Sequence, residues 1–121
     1  MRRMFEAFAR RDLDATLAQL DPDVTLTVPA TAGLAGRTGP YRGHEGVRQY
    51  LSDVEAVWSE LELEPLDFRD AAGAVVIFGR VTGRRAPQAP DEPGETIEDS
   101  VIWTWKLRDG RIVSGTAHRH G

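Results

Sequence analysis

A chain of 121 residues and 13.4 kDa has room for one domain. It can bury roughly two-thirds of its unfolded surface, so residues 1–121 read as a single unit that folds without covalent staples. The absence of cysteine excludes disulfides, thiolate nucleophiles, zinc fingers and iron–sulfur clusters, and a net charge of −4 with a pI near 5.3 argues against nucleic acid as a partner.

No apolar run approaches the length of a membrane span, and no charged-then-apolar leader opens the sequence, so a cytoplasmic protein is expected. Met4, Phe5 and Phe8 share one face of a helix over about 2–11. Asp12 can cap a second helix, in which Leu13, Leu17 and Leu20 recur at i, i+4 and i+7. Asp21-Pro22-Asp23 should end it. Val24, Leu26 and Val28 then alternate with threonines, which predicts a half-buried strand. The Gly- and Pro-rich segment 30–43 reads as loop. From about 45 to 58, Val47, Tyr50, Leu51, Val54, Val57 and Trp58 form one apolar stripe, the mark of a third helix.

Four strands should follow. Leu61 and Leu63 alternate with Glu60, Glu62 and Glu64 in a strand running towards Phe68, and a turn at 70–73 leads into a strand over 75–81. The Pro-rich stretch 86–95 is a long loop. A strand over 96–107 turns at Asp109-Gly110, a two-residue hairpin signal, into the last strand at 111–120. Helices gathered on one side of a mostly antiparallel sheet make the fold class α+β.

Three segments carry a resemblance: FEAFARRDLDATLAQLDPDVTLTVP at the start, YRGHEGVRQYL before the long helix, and VIWTWKLRDGRIV near the end. Together they resemble the SnoaL-like group of the nuclear transport factor 2-like superfamily, which shares its fold with ketosteroid isomerase. The resemblance implies a cone-shaped fold, with three N-terminal helices packed in a strongly curved sheet around an apolar cavity. It also implies frequent homodimers. It does not imply one reaction, because the superfamily includes isomerases, cyclases, epoxide hydrolases, dehydratases and members without known activity.

The hairpin supplies a register for the site. With Asp109-Gly110 as the turn, paired numbers sum to 219, so Trp105 faces Ser114, Trp103 faces Thr116, Val101 faces His118 and Asp99 faces His120. All of these share the side of Leu107 and Ile112, the side that meets the helices. On that reading His118, His120 and Asp99 stand beside Trp103 and Trp105 in the cavity; a β-bulge would invert the assignment beyond it. An Asp opposite a His fixes the imidazole tautomer and leaves the other ring nitrogen to move a proton. His118, Asp99 and His120 are therefore the candidate catalytic groups, against the alternative of surface ion pairing.

Tyr41, Trp103, Trp105 and Phe8 are the candidate ligand contacts, with Tyr41 as hydrogen-bond donor. Tyr50 and Trp58 read as core. The resembled isomerase places a carboxylate base before the first-strand proline; here Val28 precedes Pro29, so that base is missing. His118, His120 and Asp99 also form a two-His, one-carboxylate set, but nothing supplies an outer shell of supporting groups, and neither metal nor cofactor is expected. Two function classes stay open: a cofactor-independent isomerase, cyclase or dehydratase acting on a small apolar molecule, and a non-catalytic ligand-binding or dimerisation module.

Overall fold

A computed structural model describes residues 2–87, 91, 92 and 94–119. Among these, four helices and six strands form in the order α1 (Arg2–Ala9), α2 (Leu13–Ala18), β1 (Leu20–Thr27), α3 (Pro29–Leu34), β2 (Tyr41–Arg42), α4 (Gly43–Val57), β3 (Trp58–Ala71), β4 (Ala74–Arg85), β5 (Thr96–Arg108) and β6 (Arg111–Arg119). The strands make one sheet in the order β2-β1-β6-β5-β4-β3. Only β1 and β6 run parallel; every other pair is antiparallel. The α+β cone is the architecture that results, with the helices against one face of the sheet.

The helices form where periodicity and caps require them. Phe5, Ala7 and Phe8 give α1 its buried face. Phe5 sits edge-on to Trp103 and stacks on Trp105, both at 4.9 Å, which docks α1 onto β5. The Asp12 carboxylate accepts the Ala15 amide at 3.0 Å and caps α2. In α4, Val47, Val54 and Val57 are buried on the face that meets the core.

Three details depart from the sequence reading. β1 begins at Leu20, and Asp21-Pro22-Asp23 lies inside the strand instead of before it. The register against β6 jumps between Leu20–Ile112 and Thr25–Ser114, and this irregular stretch accommodates a proline that cannot donate to a ladder. Segment 30–43 is not all loop. Pro29 starts the short helix α3 at the position where its missing N–H costs nothing, and Tyr41-Arg42 adds two residues of strand to the edge of β1. Trp58 leaves the helix and opens β3 in an extended conformation.

Curvature comes from bulges. Along β3 the inward residues are Trp58, then Leu61 and Leu63, then Phe68, because the register against β4 shifts near Ser59 and again near Leu66. Another shift lies in β6. Leu107 opposes Ile112, but Lys106 opposes Ser114, so Val113 is an extra residue. On the inner face, Gly79 and Gly83 make room for indole rings. A Cβ at Gly79 would collide with the Glu64 carbonyl and lie 2.7 Å from Trp103, and one at Gly83 would lie 3.0 Å from Trp58.

Candidate functional site

Between the helices and the inner face of the sheet lies a cavity of about 530 Å³. Its sheet wall carries Leu63, Val81, Val101 and Trp103. Phe8 and Tyr50 face it from α1 and α4, and Pro29, Ala30 and Thr31 bring α3 across it. The Trp58 indole N–H donates to the Thr31 hydroxyl at 3.1 Å, which ties α3 to the start of β3. Both partners are buried, Thr31 to 3% exposure.

The Val113 bulge decides which groups reach this cavity. Beyond it the pairs are Trp105–Gly115, Trp103–Ala117, Ile102–His118 and Val101–Arg119. The sum of 219 therefore holds only for the two pairs next to the turn. Side chains alternate, so the inner face of β6 passes from Ile112 to Gly115, Ala117 and Arg119. This corrects the placement of His118, which shares the outer face with Ile102 and is exposed at the cavity rim. Asp99 keeps its inward position and lines the cavity. Its partner is Arg119, whose Nε lies 3.2 Å from the carboxylate; the two side chains are 34% and 69% exposed. No hydrogen bond or ion pair joins Asp99 to His118 among the described residues, and His120 lies outside them.

The ligand-contact candidates divide. Phe8 and Trp103 line the cavity. Trp105 belongs to the core beside it, stacked on Phe5 and packed over Gly115. Tyr41 is 3% exposed, and its hydroxyl donates to Asp53 at 2.7 Å. Among the described residues no three His, Asp or Glu side chains converge as a metal site.

Asp53 was invisible as a site from the sequence. It is 6% exposed on α4 and accepts from Arg37 Nε and Nη2, Tyr41 Oη and Gln49 Nε2. The Arg37 hydrogen bonds, with those of Tyr41 and Gln49, hold its carboxyl down at about 2 despite the opposing effect of burial. Burial, with the hydrogen bond to Asp53 second, drives the Tyr41 phenol far above its ordinary value. The available signal was an aspartate three residues after Tyr50 on an otherwise apolar stripe. Because α3 and Arg37 belong to one segment, this cluster anchors the end of the cover over the cavity.

Tyr50 stands between cluster and cavity. Its ring meets Tyr41 edge-on at 5.3 Å and stacks on Phe8 at 6.0 Å. Burial raises its phenol to about 12, with the Arg11 guanidinium acting in the opposite sense.

The profile of the SnoaL-like domain matches residues 1–115. The fold is similar to an NTF2-like protein of unknown function from Burkholderia pseudomallei K96243, at 28% identity and a TM-score of 0.84, covering 98% of this chain and 86% of that one. It is also similar to TerC, co-crystallised with polyporic acid, at 25% identity and a TM-score of 0.82 over the same shares. IdmH of Streptomyces antibioticus, a candidate polyketide cyclase, shares the fold at 23% identity and a TM-score of 0.77, covering 98% of this chain and 87% of that one. Among curated proteins none matches. With the profile spanning nearly the whole sequence and the cone fold beneath it, the chain belongs to the SnoaL-like domain family.

Proposed function

We propose that this chain binds a small apolar molecule bearing a carbonyl or enol oxygen and moves a proton on it without a cofactor, as isomerases and cyclases do. One observation carries the reading: Asp99 is the carboxylate lining an otherwise largely apolar cavity, among the described residues, and Arg119 orients it at 3.2 Å. A carboxylate so held can take a proton from a carbon next to the carbonyl. The bonding pair moves into the enolate, and the proton returns at another atom. Nothing is oxidised, so no co-reactant is needed. The apolar wall keeps water from competing. His118 is exposed at the rim of the same cavity, on the outer face of β6. TerC crystallised with polyporic acid supports a small-molecule occupant of this fold.

A second reading, ligand binding without catalysis, draws on the same ion pair: Asp99 already has a cationic partner.

Deuterium exchange at the carbons flanking the carbonyl of 2-tetralone, followed by NMR in D2O, separates the two. The protein should accelerate exchange above the buffer rate, and Asp99→Asn should return it to that rate while the ketone still binds. Binding with only buffer-rate exchange in the wild type leaves the non-catalytic module standing.

A further inference from the structure

We infer that the Tyr50 hydroxyl is the hydrogen-bond donor that holds the ligand's oxygen, which rests on the cavity being the ligand site. The two tyrosines at this site differ in one respect. Tyr41 commits its proton to Asp53 at 2.7 Å. Tyr50 lines the cavity, is half-buried, and forms no hydrogen bond among the described residues. Its hydroxyl has no protein partner among them and opens on the cavity, so its proton is free for an occupant's oxygen. Two other polar side chains of the lining are already engaged. Asp99 is paired with Arg119, and the Thr31 hydroxyl already accepts from Trp58.

The surroundings fix the ring and tune the donor. Phe8 and Tyr41 hold the ring on two sides, so little side-chain freedom is lost when a ligand binds. Arg11 lies over the Phe8 ring at 4.2 Å and donates to the Leu61 carbonyl at 3.1 Å. Its charge is therefore fixed behind the Phe8 and Leu61 side of the cavity, where it favours negative charge developing on a ligand oxygen. The phenol stays protonated throughout the neutral range because burial disfavours its anion. The occupant that fits is an apolar ring system carrying one acceptor oxygen, with the acidic carbon turned towards Asp99.

The test titrates wild type and Tyr50→Phe with 2-tetralone and with tetralin, the same ring pair without the oxygen, following tryptophan emission from the cavity wall. The phenylalanine keeps the ring contacts. The variant should bind 2-tetralone about three- to tenfold more weakly and tetralin unchanged. Equal weakening of both probes makes Tyr50 a packing residue and overturns the inference while leaving the cavity reading intact. Unchanged ketone affinity also overturns it. If the wild type binds neither probe, the cavity reading falls with it. The infrared carbonyl stretch of 2-tetralone bound to wild type gives a second readout that needs no variant: a lower frequency than in cyclohexane supports the donor, and the cyclohexane value overturns it.

Discussion

Asp99 and Arg119 are partners across the β5–β6 ladder because Val113 is one residue too many. Without that bulge, alternation would have put His118 inside and Arg119 outside. With it, the guanidinium lies 3.2 Å from the only cavity carboxylate among the described residues. Because both side chains keep substantial exposure, the pair is worth little to folding, about 0–1 kcal/mol. Arg119→Ala should therefore shift the melting temperature by no more than a few degrees, yet lower the 2-tetralone exchange rate several-fold as Asp99 loses its orientation. A large stability loss with unchanged exchange would make the pair structural.

The distinction explains what the sequence could reveal. Hydrophobic period located α1, α4 and the long strands, and three ordered motifs pointed to the family. The hairpin turn at Asp109-Gly110 was readable, and so were its first two pairs. Val113 was not, since an extra residue in a strand leaves no mark in composition. One residue therefore exchanged the His and Arg faces. Asp53 was hidden for another reason. Its partners Arg37 and Tyr41 lie in a Gly- and Pro-rich stretch that shows no period, and only tertiary packing brings them to α4.

That cluster makes acid sensitivity testable. The Asp53 carboxyl falls from an ordinary 3.8 to about 2 in the folded protein. A lowered folded value stabilises the protein above the unfolded one and loses that contribution as pH falls. The window is roughly pH 4.5 to 2, and the contribution is on the order of 2 kcal/mol. Urea unfolding midpoints measured from pH 7 to 2 should drop across this window. Asp53→Asn should be less stable at pH 7, because Arg37 loses its ion-pair partner, and should show a flatter acid limb. An acid limb as steep in the variant as in wild type would assign the slope to other carboxylates.

The two inner-face glycines of β4 should respond unequally to alanine. At Gly79 the new methyl meets the Glu64 carbonyl, a backbone atom of the neighbouring strand that cannot move without breaking the ladder. Gly79→Ala should cost about 3 kcal/mol or prevent folding. At Gly83 the nearest atoms are Trp58 Cε3 and Cζ3 at 3.0 Å, and a ring edge can shift by tenths of an ångström. Gly83→Ala should cost about 1 kcal/mol and push Trp58 towards the cavity, weakening tetralin binding. Thermal unfolding of the two variants checks the order; equal losses would mean that the ring is as fixed as the backbone.

Trp58 also holds α3 through the 3.1 Å bond to Thr31. Trp58→Phe keeps an aromatic ring packed with Phe8, Val54 and Val57, but removes the donor. The buried Thr31 hydroxyl is then left unmatched, which should cost about 1–3 kcal/mol. The local consequence is more telling than the global one. The amides of Ala32, Ala35 and Arg37 bond to carbonyls of Val28, Thr31 and Ala32 within and just after α3. Their hydrogen exchange should accelerate beyond what the lost global stability accounts for, because α3 opens separately once its tie to β3 is cut. Amides of β5, remote from the change, should follow global stability alone. If α3 and β5 accelerate by the same factor, the cover is part of the core and the Trp58–Thr31 bond does not control access to the cavity.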